Sequence, residues 1–392
     1  MPAPSSTSIF GHPFLGRGFR PFFLMAACYG VWGIISWVGI NLGYLDLPSS
    51  IDDPVLWHAH EMIYGFVIAV VAGFLLTAVA NWTGGAPVRK LHLAVLCSLW
   101  LLGRIAMHID GLPLWGIAIA DNVFIPALAV SLAVPLWGSR NTRNFIFLGI
   151  LTVFFACNVT FFVTQERLPL HLAVLMVITM ISLVSGRIIP AFTVGGLRRI
   201  GLTVNQKDQP LMDKICFLSL IILMTAFFFS GAESVLTGTT GLLSGGIHLW
   251  RYRHYHASKA IKEPMLWILH AGYLWLSIGL ILLGLSALGF VSLTIALHAL
   301  TTGCIGSMCI GMMCRVTLGH SGRNIIAKPI TQFMFLLMQL AVLLRTLGPV
   351  LYAEGYIIWI VASGVIWALC FAIYVPAYFS MLLKARPDGL PA

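Results

Sequence analysis

Residues 55–82, VLWHAHEMIYGFVIAVVAGFLLTAVANW, form an apolar run that is long enough to cross a membrane. About 20 consecutive apolar residues span a hydrocarbon core roughly 30 Å thick. The run also contains His58, His60 and Glu61, and such ionisable groups are costly at bilayer depth, where they usually face the protein interior. The run therefore predicts a membrane-spanning helix whose polar residues serve ions, protons or metals.

The composition of the whole chain is that of a polytopic membrane protein. The sequence has 392 residues, of which 59% are hydrophobic and 9% are charged, whereas an average soluble domain carries about 25% charged residues. We predict an all-α, polytopic membrane helix bundle of about twelve transmembrane helices, with eleven to thirteen as the range. The twelve predicted spans are residues 19–42, 55–82, 91–109, 114–137, 144–163, 169–189, 211–230, 233–251, 264–286, 291–314, 329–347 and 355–383.

The basic residues indicate how these spans are oriented. The chain has 23 Lys and Arg residues, and all except Arg104, Arg167 and Arg345 lie before the first span, near every second connection or after the last span. By the positive-inside rule, both termini are predicted to be cytoplasmic. This alternation explains the net charge of +10 without a nucleic-acid partner. The acidic residues that gather on the opposite side are Asp46, Asp52, Asp53, Asp110, Glu166, Glu233 and Glu354.

A polar and basic segment at about residues 195–210 separates the sixth predicted span from the seventh. The resulting six-plus-six layout is typical of two-repeat transporters, but the two halves show no convincing sequence repeat. We predict a single integral membrane domain over residues 1–392. The basic pair Arg17 and Arg20 precedes a long apolar run without an obvious small-residue cleavage site, which predicts an uncleaved first span.

Three sequence features exclude other classes of protein chemistry. The eight cysteines are scattered through the predicted spans, so a disulfide framework is not expected. No CxxCH motif occurs, which excludes covalent attachment of a c-type haem. No GxxxxGK(S/T) motif occurs, so the chain lacks the loop that holds a nucleotide phosphate in P-loop proteins.

Five histidines are predicted to lie in the outer half of the bundle; His108 is assigned to packing, and the other four can converge. They are His58, His60, His171 and His298, and histidine is the commonest metal ligand in proteins. His58 and His60 are about 200° apart around a regular helix, so they cannot bind one metal from the same face and are predicted to have different roles. A hydrogen-bonded packing role is the alternative for each of the four.

Several other polar residues within the spans are candidates for function. Glu61 can pair with Arg104, either as a catalytic pair or as a buried structural one. The stretch 313–323 ends the tenth span with Arg315, His320 and Arg323. One interpretation of this stretch is a capped cytoplasmic loop. The other is a site that binds an anion or a propionate, with His320 as an axial ligand or proton relay. The candidate cofactor-binding residues are Arg104, Arg187, Arg315 and Arg323.

The motifs taken together resemble a known family along nearly the whole chain. The matching stretches are FRPFF at 19–23, WHAHEM at 57–62, GFLLTAV at 73–79, GR at 103–104, His171, GRIIPAFT at 186–193, LWILHAGYLW at 266–275, HALT at 298–301 and RVTLGHSGR at 315–323. They resemble the NnrS family, which comprises haem- and copper-containing membrane proteins of the bacterial nitric oxide response. Ala80, where Pro is expected, and Ser321, where Thr is usual, depart from the family pattern.

The resemblance implies a set of cofactors, ligands and partners. The cofactors would be haem b and copper, held by His58, His60, His171, His270, His298 and His320. The implied partners are nitric oxide or a similar small gas and the lipid bilayer of a bacterial inner membrane. The chain shows no soluble domain for electron entry, so turnover would need quinol or a separate electron donor.

Three hypotheses for function remain open on the sequence. The favoured one is a haem- and copper-binding protein that binds or reduces nitric oxide, with nitric oxide reductase-like activity as an open question. The second is a secondary transporter or metal exporter that uses His58, His60 and Glu61 as its substrate or proton site. The third is a non-catalytic haem-based sensor or haem carrier.

Overall fold

The protein is represented by a computed structural model that describes residues 9–47 and 51–390. Within this part of the chain the regular structure is entirely helical. Each of the twelve predicted spans coincides with a helix. The helices are α1 (Phe19–Asn41), α2 (Pro54–Thr83), α3 (Lys90–Ala106), α4 (Leu114–Gly138), α5 (Thr142–Thr164), α6 (Arg167–Arg199), α7 (Pro210–Ser230), α8 (Val235–Tyr252), α9 (Pro264–Ala287), α10 (Leu293–His320), α11 (Pro329–Leu351) and α12 (Ala353–Leu383).

The predicted fold class, an all-α polytopic bundle, is confirmed. Ten of the described helices are long and apolar enough to cross a membrane. The other two, α3 and α8, have 17 and 18 residues and coincide with the predicted third and eighth spans. The cytoplasmic placement of both termini stays a prediction.

Capping residues determine where α2 begins and ends. Asp53 precedes the helix, and its Oδ1 accepts hydrogen bonds from the backbone N–H groups of Val55, at 2.7 Å, and Leu56, at 3.4 Å. Pro54 occupies the first helical position, where its missing N–H costs nothing. At the other end Gly84 adopts φ +65°, a left-handed conformation that glycine reaches without strain.

Two helices contain a π-helical segment next to a histidine. In α2 the segment Glu61–Val67 directly follows His60. In α10 the segment Ala299–Gly306 directly follows His298. A π-helical turn takes more residues per turn than an α-helix and occurs frequently at functional sites. The π-helical segments therefore make the neighbouring His60 and His298 candidates for a functional role.

Helix α4 is interrupted next to an acidic residue. The helix is interrupted at Val123, between Leu114–Asn122 and Phe124–Gly138. Pro126 lies four residues after Asn122, and a proline has no N–H to donate to the carbonyl four residues earlier. The interruption is therefore a consequence of the sequence, and Asp121 lies in the turn just before it.

The contacts divide the chain into two compact units. The first comprises the described residues of Met1–Leu170 with Met313–Ile325 and the described residues of Phe371–Ala392. Its core contains the aromatic residues that begin α1, among them Phe19, Phe22 and Phe23. A Cβ on Gly73 of α2 would lie 2.8 Å from the Phe23 ring, so glycine permits the close packing of α2 on α1.

The second unit comprises His171–Met312 and Ile326–Cys370. In this unit α8 packs closely on α9 at a place where glycines from both helices meet. A Cβ on Gly284 would lie 2.6 Å from the backbone nitrogen of Leu242 and 2.7 Å from the carbonyl oxygen of Gly238. Because both neighbours are backbone atoms, they cannot move aside as a flexible side chain would.

We expect Gly284→Ala to destabilise the second unit by about 1–3 kcal/mol, because the added methyl group forces two packed backbones apart. The measurement is the fraction of detergent-solubilised protein that stays monodisperse after heating. Gly246→Ala on α8 is the control, since its Cβ would have no neighbour within 4 Å. Equal heat resistance of the two variants would contradict this account of the packing.

Candidate functional site

A buried arginine joins two acidic residues in the interior of the first unit. Arg104 lies in the last turn of α3. Its Nη1 donates a hydrogen bond to Glu61 Oε1, and its Nη2 donates one to Asp121 Oδ1. The exposed fractions of these side chains are 4%, 1% and 3%. The predicted pairing of Glu61 with Arg104 is confirmed, and Asp121 is a third member that the sequence analysis did not identify.

His60 completes this group together with Asn158 of α5. The imidazole is fully buried, with Nδ1 2.9 Å from Glu61 Oε1 and Nε2 2.9 Å from Asn158 Oδ1. Asn158 Nδ2 donates to Asp121 Oδ2 at 2.6 Å. The five residues Glu61, Arg104, Asp121, His60 and Asn158 thus form one connected network, here called the Arg104 network.

The hydrogen-bond partners assign a proton to the network. Asn158 donates through its nitrogen to Asp121, so its oxygen faces His60, and His60 Nε2 must carry a hydrogen. His60 Nδ1 faces a carboxylate oxygen of Glu61, which requires a proton between these two atoms. With that proton the two carboxylates and Arg104 are balanced to zero net charge, the favourable state in a buried site. The pair His60–Glu61 therefore holds one proton inside the membrane-spanning region.

Aromatic residues enclose the network on the side of α5. The His60 ring stacks on Phe161 with 4.9 Å between centroids, and Tyr64 lies at 5.0 Å. The Tyr64 hydroxyl donates to the carbonyl oxygen of Phe154 at 3.0 Å. These contacts fix the orientation of the imidazole and exclude lipid from it.

A small cavity adjoins the network. Its volume is about 10 Å³, close to the minimum that one water molecule needs. Tyr64, Trp100, Arg104 and Asp121 are among the residues that line it. Two buried polar atoms of the network, Glu61 Oε2 and Arg104 Nε, have no hydrogen-bond partner among the described residues. The site thus combines unsatisfied polar atoms with room for a water-sized molecule.

His58 has different surroundings from His60, as the helical spacing predicts. The His58 ring stacks on Trp37 of α1 with 4.4 Å between centroids. His60, two residues further on, belongs to the Arg104 network. The two imidazoles therefore contact different neighbours within the first unit.

The histidines predicted as metal ligands in the second unit are His171, His270 and His298. His298 Nδ1 lies 2.7 Å from the carbonyl oxygen of Thr294. A carbonyl only accepts, so Nδ1 carries the hydrogen and Nε2 carries the lone pair with which histidine binds a metal. His171 lies in the first turns of α6, with its ring edge-on to Phe227 at 5.8 Å.

His270 and His320 have their ring nitrogens engaged differently. His270 Nε2 lies 2.9 Å from Thr193 Oγ1, and its Nδ1 lies 3.2 Å from the Tyr252 hydroxyl. His320, in the first unit, has Nδ1 3.3 Å from Arg17 Nη1. A guanidinium only donates, so the Nδ1 lone pair of His320 is occupied by Arg17.

The candidate arginines occupy separate environments. Arg104 belongs to the network already described. Arg187 is half-buried on α6, and Arg315 is buried near the end of α10. Arg323 Nη1 donates to the carbonyl oxygen of Ser321 at 3.1 Å. The partners of Arg104 are two carboxylates.

These donor sets fit the implied haem and copper in part. Among the described residues, no group of three or more His, Cys, Asp or Glu side chains is arranged to hold a metal ion. His298 presents the tautomer that a metal ligand needs. His60 and His270 have protein partners at both ring nitrogens, so neither fits a metal without giving up a hydrogen bond.

The sequence analysis did not identify two residues of this site, Asp121 and Asn158. Asp121 is an ionisable residue inside the apolar run 114–137, and the argument applied to His58 and Glu61 would have identified it. Asn158 is uncharged, and nothing in its neighbourhood along the chain distinguishes it from a packing residue. The π-helical segments have no sequence signal that hydrophobic periodicity could detect.

The fold and the site define a class of protein: a multi-pass, all-helical membrane protein with a charge-balanced ionisable network inside its first unit. Within that class the chain belongs to the NnrS family, because the model of that family, described as NnrS protein, matches residues 13–386. No curated protein matches the sequence. The resemblance seen in the sequence motifs is thereby confirmed.

We expect Arg104→Gln to destabilise the protein by about 3–5 kcal/mol, because it leaves the carboxylates of Glu61 and Asp121 buried without their cation. Arg167→Gln is the matched control. The pair of Arg167 with Asp53 is exposed, at 63% and 36% of the two side chains, and such pairs contribute about 0–1 kcal/mol. Thermal unfolding in detergent, followed by tryptophan fluorescence, measures both. A similar small shift for the two variants would contradict the assigned role of Arg104.

Proposed function

We propose that this protein is a haem- and copper-binding membrane protein of the bacterial inner membrane that binds or reduces nitric oxide. The family name suggests a role in the nitric oxide response, and the family resemblance implies the two cofactors. The observation that carries the proposal is the Arg104 network, a buried proton-holding group inside the membrane-spanning region. Ionisable groups in that position are functional more often than structural.

Histidines of both units are the proposed metal ligands. His298 is the strongest candidate, because its Nδ1 donates to Thr294, so a metal would bind through Nε2 in the tautomer that this bond fixes. His58 and His171 are proposed as further ligands, each within its own unit. His60, His270 and His320 would each have to release a present hydrogen bond to serve as one. When bound, haem iron and copper would supply coordination positions for nitric oxide and a path for electrons.

The Arg104 network is proposed to deliver protons. Reduction of two nitric oxide molecules to nitrous oxide and water consumes two electrons and two protons. His60 and Glu61 hold a proton between Nδ1 and Oε1, and Arg104 keeps the remaining charges balanced. The adjoining cavity, which Arg104 and Asp121 help to line, has room for one water molecule. Quinol or a separate protein is the proposed electron donor.

Two other functions use the same residues. A secondary transporter or metal exporter would use His58, His60 and Glu61 to bind its substrate or a proton, and the six-plus-six layout favours it. A haem-based sensor would bind nitric oxide without turnover. We favour the first proposal because a network with a stored proton is needed for reduction and is not needed for sensing.

An absorption spectrum and metal analysis of the purified protein test the cofactor proposal. We expect a Soret band and bound copper. Nitric oxide is then added to the reduced protein, and nitrous oxide is measured by gas chromatography. Steady nitrous oxide production indicates an enzyme, and a spectral change without nitrous oxide indicates a sensor. Absence of both haem and copper would leave the transporter as the better proposal.

We expect His298→Ala to remove haem or copper while the protein still inserts into the membrane, because the substitution deletes the proposed donor atom Nε2. His108→Ala is the control. In His108, Nδ1 is bonded to the carbonyl oxygen of Arg104 and Nε2 accepts from Trp32, so both nitrogens have packing roles. Unchanged metal content in the His298 variant would refute the assignment of this ligand.

We expect Glu61→Gln to lower nitrous oxide production by about 100-fold or more, the range of a positioned proton donor, with haem content unchanged. The variant stays charge-balanced, because Arg104 and Asp121 then neutralise each other without the extra proton. Glu166→Gln, at an exposed position, is the control. Full activity of the Glu61 variant would show that the network is structural.

A further inference from the structure

A second group of arginines lies where helix ends meet in the first unit. Arg20, in the first turn of α1, is fully buried. Its Nη1 donates to the carbonyl oxygens of Leu382, at 3.0 Å, and Lys384, at 2.7 Å. These carbonyls end α12, so Arg20 caps that helix. The cap uses one of the three nitrogens of the guanidinium.

Three further arginines surround this position. Arg17 Nη1 lies 3.3 Å from His320 Nδ1, and Arg386 Nη1 donates to the carbonyl oxygen of His320 at 3.0 Å. The positive charges of Arg323, Arg17 and Arg386 all act on Arg20. The four residues Arg17, Arg20, Arg323 and Arg386 are here called the arginine cluster.

The four positive charges of the cluster are not matched by an equal number of carboxylates among the described residues. Arg386 is paired with Asp388, and hydrogen bonds from Arg386 lower the pKa of this carboxyl to about 2, so it stays ionised. None of the ion pairs in residues 9–47 and 51–390 includes Arg17, Arg20 or Arg323. Three guanidinium charges therefore have no carboxylate partner within the part of the chain that the structure describes.

Buried donor atoms of the cluster are also unsatisfied. Arg20 Nε and Nη2 and Arg17 Nε are buried, and no described residue accepts a hydrogen bond from them. A buried donor without an acceptor costs about 1–3 kcal/mol, and more when it is charged. The Arg104 network shows how the same chain neutralises a buried arginine with carboxylates. In the arginine cluster, in contrast, no carboxylate of the described residues is paired with Arg17, Arg20 or Arg323.

We propose that the arginine cluster binds the phosphate group of an anionic phospholipid. A phosphate diester offers oxygen acceptors that match the planar fork of a guanidinium. The cluster lies at the ends of α1, α10 and α12, which is the level of lipid headgroups for membrane-spanning helices. Basic pockets between helices on the cytoplasmic side are typical headgroup sites, and the positive-inside rule predicts that side here.

The arrangement of the cluster suits a headgroup that enters from one side. Arg20 is fully buried and forms the floor of the site, whereas Arg17, Arg323 and Arg386 are half-buried and can be reached. The lipid would thereby connect the start of α1 with the ends of α10 and α12. This inference does not rest on the proposed function, because it needs neither haem nor nitric oxide.

Titration with phosphatidylglycerol, followed by native mass spectrometry of the full-length protein in detergent, tests the proposal. We expect bound phosphatidylglycerol, and no comparable binding of phosphatidylcholine with the same acyl chains. In the double variant Arg17→Gln with Arg323→Gln, binding should weaken on the order of tenfold or more, because charge-assisted hydrogen bonds are lost. Arg143→Gln, at an exposed basic position, should bind as the wild type does.

Further outcomes decide between sources of the anion. Inorganic phosphate should not compete with the lipid at equal concentration, and competition would overturn the assignment to a phospholipid. Loss of haem from the double variant, with lipid binding unchanged, would assign the cluster to the cofactor instead. Arg323→Lys, which keeps the charge and loses the fork, should bind with intermediate affinity. Monodisperse elution of each variant shows that it is folded, and equal lipid binding by all variants would overturn the proposal.

Discussion

An ion in the interior of a membrane protein must be neutralised by neighbours, and this requirement organises the first unit. Arg104 of α3 is neutralised by Glu61 of α2 and Asp121 of α4, and Asn158 of α5 supplies the remaining hydrogen bonds. Four consecutive helices thus contribute to a single network, α2 with His60 and Glu61 and the other three with one polar residue each. Because removal of any one member leaves a buried charge or donor unsatisfied, the network selects one arrangement of these helices among the many that apolar packing alone would allow.

The two groups of buried arginines differ in a way that relates stability to function. Arg104 has its counter-charges in the chain itself, together with a proton between His60 and Glu61. Arg20 has a helix cap and three positively charged neighbours, with donors that no described residue satisfies. The charge of Arg104 is thus offset within the chain, whereas the charge of Arg20 has no carboxylate partner among the described residues. The arginine cluster around Arg20 is therefore proposed to bind a ligand, whereas the Arg104 network is proposed to take part in proton transfer within the protein.

Most of the fold could be predicted from the sequence, because each span is an apolar run of sufficient length. Glu61 and Arg104 were also accessible, since an ion at bilayer depth needs a partner of opposite sign. The remaining members required tertiary information. Asn158 carries no charge that would distinguish it, and the break at Val123 that follows Asp121 depends on a proline further along the helix. The separate surroundings of His58 and His60 followed from helical geometry, whereas the tautomer of His298 required the position of one carbonyl oxygen.

The π-helical segments of α2 and α10 have a consequence for how these helices can change. An α-helix advances about 100° per residue, so one residue accommodated in a wider turn rotates everything before it relative to everything after it. The part of α2 up to His60 can therefore present its side chains in one direction while Phe66 and the residues beyond keep their packing direction. Ala299–Gly306 gives His298 the same independence in α10. In each helix the π-helical segment therefore separates the direction in which the side chains before it point from the direction of those after it. Side chains at one end of the helix can then change in evolution without repacking of the other end.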